Sequence, residues 1–252
     1  MNDTIQRLDI EDRITFRCFP GIECFTQCCQ DVNVALTPYD VLRLKSHLGI
    51  HSDEFIDKYT VVIPKGKKVI PLVLLKMDSE NKRCPFVTEN GCTVYINRPW
   101  SCRMYPLDVN EDGTYRIISD PSRCKGLNEK EVWEIGEYIV DQGMVPYEEM
   151  NRALSQVTIP LQAMDLDIDN PAIFKMVFMA LYNLDRFREF VFQSSFFDRF
   201  KISEERIRLI QSDDVELLKF SLDWIKFGLL GQLLFPVKEK YLRKQDGREA
   251  RS

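Results

Sequence analysis

Residues 15–30 read TFRCFPGIECFTQCCQ, and residues 84–106 read CPFVTENGCTVYINRPWSCRMYP. Cys124 stands apart in a third stretch, DPSRCKG, residues 120–126. The first stretch is spaced C-x5-C-x3-C-C, with Pro20 and Gly21 between its first two cysteines. That is too irregular for a helix or a strand, and it predicts a loop of the kind that lets thiolates converge on a metal from several directions. Adjacent side chains diverge in a strand and stand about 100° apart on a helix. One tetrahedral ion does not easily take both Cys28 and Cys29, so either the pair serves two metals or one member packs. In the second stretch Asn90-Gly91 is a tight-turn signal between short extended segments. A turn there folds Cys84 and Cys92 towards each other, and Cys102 follows a proline turn.

Cys18, Cys24, Cys28, Cys29, Cys84, Cys92, Cys102 and Cys124 are the candidate metal ligands, and residues 125–252 hold no cysteine. A dense, even set of cysteines is a disulfide framework or a metal site, and the redox compartment decides which. The N-terminus, MNDTIQRLDIEDRITFR, carries charges where a signal peptide needs an apolar core. The expectation is therefore a cytoplasmic chain with reduced thiols that bind metal. The alternative, eight buried thiols acting as small hydrophobes, does not account for their grouping or for the cations beside them. Arg17, Arg83, Arg103, Arg123 and Lys125 each adjoin a cysteine. Four thiolates leave a zinc ion with net negative charge, which nearby cations offset.

No apolar stretch reaches membrane-span length; FGLLGQLLFPV, residues 227–237, is too short and contains two glycines and a proline. Lys and Arg balance Asp and Glu at 17 each in residues 1–125, while residues 126–252 hold 17 against 22. Neither half has the basic stripe of a nucleic-acid surface, so no nucleic acid and no membrane insertion are expected, and a protein partner stays open. His47 and His51, the only histidines, are separated by Gly49, which breaks the helix between them, and both are left out of the site.

The ordered combination of a cysteine group ending in CC, LTPYDVLRLKSHLGI (residues 36–50), CPF, NGCTVY and RPWSCRMYPL resembles the CxxCxxCC cysteine-cluster family, YkgJ-type, of zinc- or iron-chelating domains. The resemblance covers roughly residues 16–126, and R-P-x-x-C-R-x-x-P is its most specific part. It implies metal chelation, as an iron–sulfur cluster or Zn2+, and no settled reaction. The five residues between Cys18 and Cys24 depart from the family's close C-x2-C spacing and are similar to the cysteine-cluster enzymes that N-methylate flagellin lysines. The absence of a compact C-x2-C zinc ribbon favours an iron–sulfur cluster over zinc.

Around the cysteines, Thr37 caps a helix that Pro38 opens and Gly49 ends. Ser52 caps a second helix running to Tyr59, and residues 61–77 form a strand pair about Gly66. Beyond Gly126 the chain reads as helices: 129–142; one from Asn170-Pro171 to about Phe192; one capped by Ser203; and one from Asp213 to Leu230. The phenylalanines from Phe187 to Phe200 read as core. The expected fold class is α+β: a small irregular cysteine-rich metal-binding module, residues 1–126, followed by an all-α helical region, residues 127–252. That region packs on the module and has a disordered tail from about residue 238. The function expected is that of a metal-binding cysteine-cluster protein in redox or metal handling. The alternatives are a protein lysine N-methylase and a structural zinc module with a helical interaction surface.

Overall fold

The computed structural model describes residues 6–63, 70–164 and 171–241. Strand β1 (Arg13–Thr15) leads into the cysteine loop, then helices α1 (Pro38–Leu48) and α2 (Ser52–Tyr59), and strands β2 (Thr60–Ile63), β3 (Leu72–Leu75), β4 (Val87–Thr88) and β5 (Gly91–Cys92). Helix α3 (Trp100–Met104) precedes β6 (Leu107–Val109), β7 (Tyr115–Ile117) and β8 (Val132–Glu134). Seven helices follow: α4 (Ile135–Asp141), α5 (Val145–Ala163), α6 (Pro171–Tyr182), α7 (Leu184–Gln193), α8 (Phe196–Arg199), α9 (Glu204–Ser212) and α10 (Asp214–Leu230). Every strand pairs with one other, antiparallel, as β1–β8, β2–β3, β4–β5 and β6–β7. The fold is α+β, with small strand pairs in the N-terminal part and helices beyond.

Local chemistry sets several element ends where the sequence places them. Thr37 caps α1 through a full capping box: its hydroxyl accepts from Asp40 N at 3.2 Å, and Asp40 accepts from Thr37 N at 2.7 Å. Gly49 closes that helix in the left-handed conformation. Ser203 and Asp213 cap α9 and α10. β2 pairs with β3 as expected, although Gly66 lies outside the described residues.

Elsewhere tertiary contacts override the local reading. The expected helix over 129–142 begins as β8, because Val132, Trp133 and Glu134 pair with β1, and Trp133 Nε1 donates to Phe16 O at 3.0 Å. Only Ile135–Asp141 is helical. The expected helix to Phe192 is broken at Asn183, whose side chain accepts from Arg186 N at 3.4 Å and so starts α7 anew. Ser52 does not cap its own helix. It is the first residue of α2, and its hydroxyl donates to Asn183 Oδ1 at 2.8 Å and accepts from Asp185 N at 3.0 Å. Helix α5 has no counterpart in the sequence reading. Of the expected disordered tail, residues 238–241 are ordered: Lys238 N donates to Arg199 O and Lys238 Nζ to Phe197 O, at 2.8 and 2.7 Å. Residues 242–252 lie outside the described part.

Two clusters of buried side chains result. The larger takes α1, α2, β3, Phe86 and Val94 together with α5, α6, α7 and α10. Its floor is aromatic: Phe196 sits against Phe200, Trp224, Phe220 and Phe235, with ring centroids 4.9, 5.1, 5.7 and 5.9 Å away. Phe187 and Phe196 of the phenylalanine run are thus core, with Phe190, Phe192, Phe197 and Phe200 partly buried against it, and a fully buried ring contributes roughly 1.5–3 kcal/mol. The smaller cluster gathers Ile14, Phe16, Met104, Leu107, Cys124, Ile135, Tyr138 and Met144 under the cysteine loops. Among the described residues no helix is long and apolar enough to cross a membrane.

Candidate metal centre

Cys18, Cys24, Cys28 and Cys124 form one neighbourhood. Arg17 N donates to Gly126 O at 3.0 Å, which lays the start of the first cysteine loop against the segment carrying Cys124. Glycine is required there: a Cβ on Gly126 would stand 2.6 Å from Arg17 O. Lys125 N donates to Cys24 Sγ at 3.2 Å. Between Phe19 and Cys29 the chain coils through successive tight turns, with Phe25 N on Ile22 O at 2.9 Å and Gln27 N on Cys24 O at 3.0 Å. Burial, then the neighbouring thiolates of Cys28, Cys24 and Cys124, push Cys18 up to about 11. Cys28 is raised further, first by its hydrogen bond with Cys29, then by burial and the charge of Cys29. Tyr105, whose hydroxyl donates to Ser119 Oγ at 2.8 Å, is raised by burial and by its hydrogen bond with Cys124.

Cys29, Cys84, Cys92 and Cys102 form a second neighbourhood. Cys84 N donates to Cys29 O at 2.8 Å, and Asp31 N to Lys82 O at 2.9 Å, so the end of the first loop pairs with the start of the second. The β4–β5 hairpin sets Val87 opposite Cys92 and returns Cys92 towards Cys84. Its turn is one residue earlier than expected: Thr88 pairs with Gly91, which puts Glu89 and Asn90 at the corner. Gly91, at φ 109°, closes it against the Phe25 ring. Amide groups face the sulfurs here, those of Phe86 and Val87 towards Cys84 and that of Val94 towards Cys92. Burial raises both thiols, and these N–H groups act against it by favouring the thiolate.

Cys102 differs from the loop position expected for it: it lies on α3. Its side chain keeps access to solvent although protein surrounds most of it. Desolvation comes first in pushing it up to about 12, followed by Cys84, Asp40, Cys92 and Cys28. Asp40 sets its position. This fully buried carboxylate closes the α1 capping box with one oxygen and accepts from Trp100 N, at the start of α3, with the other, at 2.8 Å. The LTPYD segment therefore holds the RPWSC segment, a role the sequence reading missed. The only signal for it was a carboxylate three residues after a cap, which local pairing already satisfies.

The cations beside the cysteines act differently from the expectation. Arg103 is buried, donates to Arg98 O at 3.0 Å, Gln142 O at 2.6 Å and Ile96 O, and lies over the Tyr147 ring. It clamps carbonyls. Arg17 pairs with Glu131 and Arg83 with Thr26. The cation that works against the burial-driven rise of Cys92 is Arg98, held by Tyr95 O at 2.7 Å and Gln142 Oε1 at 2.6 Å and also charge-coupled to Cys102. His47 bonds Asn97 at 3.0 Å and His51 precedes α2, both outside the cysteine loops.

All eight thiols are free, and among the described residues no three His, Cys, Asp or Glu side chains stand at metal-holding distances. The donor set nevertheless suits a thiophilic centre. The thiols raise one another's pKa, so they ionise together only when a cation shares their charge. Backbone amides already point at three of the sulfurs. Two buried polar atoms without a partner, Trp100 Nε1 and Ser101 Oγ, belong to the residues just before Cys102. Residues 17–131, just under half of the chain, match the model of the CxxCxxCC family, described as "Putative zinc- or iron-chelating domain". The resemblance read from the motifs thus holds over that segment and supports metal binding. No curated protein and no solved structure matches the chain.

Proposed function

We propose that residues 16–126 bind metal through cysteine thiolates, as an iron–sulfur cluster or zinc, and that the centre works in electron transfer or metal handling. One observation carries the reading: backbone hydrogen bonds bring free thiols from separate segments to one region, Cys18 and Cys24 beside Cys124, and Cys29 beside Cys84. Metal-free, such a group of mutually repelling thiols gives the fold nothing; metal-bound, it cross-links the loops that carry it. Solvent access favours redox or metal handling over a purely structural zinc. Cys18, Cys28 and Cys102 are exposed, whereas a structural zinc site closes its four ligands around the ion.

Elemental analysis and a visible spectrum of anaerobically purified protein test this. Iron with acid-labile sulfide and charge-transfer absorption identifies a cluster, and colourless protein carrying zinc identifies zinc. Exchanging His47 and His51 for Ala leaves the metal content unchanged if the ligands are the cysteines. No more than trace metal in the wild-type protein overturns the proposal.

A further inference from the structure

We propose that the outer face of α4 is a docking groove for a basic, apolar-anchored segment of a partner protein. Trp133, Glu134, Gly136, Glu137, Val140 and Asp141 line a shallow, open groove along that helix. Its apolar part faces solvent: Val140 is 66% exposed, and Ile10, which abuts Gly136, is 47% exposed. Its charged part has one sign. Among the described residues none of Glu134, Glu137 and Asp141 has an ion-pair partner, and Asp141 accepts only from Gln142 Nε2, at 2.9 Å. Arg13 stands opposite Glu134 in the β1–β8 register without pairing with it.

Folding accounts for part of this set only. Glu134 and Glu137 suit the start of α4, but Asp141 ends it, where the helix's own carbonyls disfavour a carboxylate. Gly136 is not in a left-handed conformation, and a Cβ there would meet Ile10 Cγ1 at 3.4 Å, an ordinary contact. Neither backbone nor packing asks for glycine, and its missing side chain leaves the strip between Trp133 and Val140 open to close approach. An apolar strip edged by unpaired carboxylates is complementary to a segment in which Lys or Arg flanks an apolar side chain. The groove backs onto the cysteine region. Trp133 Nε1 donates to Phe16 O, and the rings of Trp133 and Phe16 each lie 5.9 Å from that of Tyr138. A seated segment is thus one layer of rings from the strand that leads into Cys18. None of the thiols lines the groove, and docking there does not require metal.

The probe is a short, fluorescently labelled amphipathic peptide of lysine and leucine, with a glutamine-for-lysine version as its uncharged control, added to the full chain. Anisotropy reads affinity. Carbodiimide cross-linking, which joins lysines to the carboxylates they touch, maps the contact by mass spectrometry. Binding of the basic peptide alone is expected, with cross-links at Glu134, Glu137 or Asp141. Glu134→Gln/Glu137→Gln/Asp141→Asn should weaken binding about tenfold, and Val140→Ser should weaken it severalfold. Glu54→Gln/Glu149→Gln/Glu205→Gln removes the same charge from exposed sites elsewhere and should leave affinity unchanged. Equal loss in the two triple variants, cross-links scattered over other carboxylates, or no binding would overturn the groove. Cross-links from the groove to Lys240 or Lys244 of this chain, in place of the probe, would assign it to the chain's own C-terminal end and overturn a foreign partner. If a triple variant does not fold, the wild-type cross-link map and Val140→Ser decide.

Discussion

Around Phe196 the chain is held by rings on several sides, whereas around Cys28 it is held by single hydrogen bonds from backbone to backbone or to sulfur. In the first region six aromatic residues stand within 6.3 Å of one ring centroid, and losing one leaves the others in place. In the second, Cys28 has no buried apolar neighbour in its turn, and the turn hangs on bonds such as Cys29 N to Thr26 O at 3.1 Å. Apolar packing is spread over many weak contacts and survives local change. A loop without a core needs a cross-link, and here the side chains suited to make one are thiols. The boundary between the two regimes does not follow the chain, because α1, α2 and β3 belong to the aromatic region's core although they lie between the cysteine stretches.

Metal removal gives the widest separation between the regions. Chelation, or oxidation of a cluster, is expected to raise amide exchange at residues 16–30, 82–94 and 120–126. It should leave α5, α6 and α10 protected and most helical circular dichroism intact. The loss is on the order of several kcal/mol and local. Simultaneous loss of protection in α10 would show that both regions unfold as one cooperative unit.

Phe220→Ala probes the other side. Its ring is fully buried between Phe187, Phe196 and Phe235, so truncation is expected to cost about 3–5 kcal/mol in chemical denaturation. Metal content per folded chain stays unchanged. A Phe220→Ala protein that folds but has lost its metal would mean that the aromatic core positions the thiols directly.

Asp40 joins the regions and gives the smallest effect. Asp40→Asn keeps one acceptor but turns an amide N–H₂ towards Thr37 N or Trp100 N, at a cost of about 1–3 kcal/mol, with exchange rising at Trp100. Desolvation raises the wild-type carboxyl from 3.8 to about 6, against the hydrogen bonds from Thr37 and Trp100. The folded state therefore binds the proton more tightly than the unfolded state. This contribution is fully present below about pH 4 and is lost as pH rises towards 6. Asp185 runs the other way: burial raises it, but Ser52 N and Lys45 outweigh burial and hold it low, so its contribution is lost in acid. Stability measured between pH 4 and 6 should fall less steeply in Asp40→Asn than in the wild type. An unchanged slope would place the carboxyl's titration outside that range.

Elements whose signals are local could be read from the order of the amino acids. The caps at Thr37 and Ser203, a helix over about Asp213 to Leu230, the stop at Gly49, the β2–β3 pair and the buried phenylalanines were legible because each rests on residues a few positions apart. The same holds for the cysteine grouping and its metal chemistry, which follow from residue type and spacing. Tertiary structure alone decided the rest. Val132–Glu134 became a strand because β1, more than a hundred residues earlier, offered an edge. The break at Asn183, capped locally through Arg186 N, is also where Ser52 of α2 bonds Asn183 and Asp185. Arg103, turned inward on α3, became a clamp on carbonyls, and Arg98, buried just ahead of α3 and held by Tyr95 O and Gln142 Oε1, became the cation beside Cys92. Which cysteines face one another was decided in the same way, by bonds such as Arg17 to Gly126 and Cys84 to Cys29. Spacing records how far apart thiols lie along the chain, and a loop's path in space depends on where its backbone donors find acceptors.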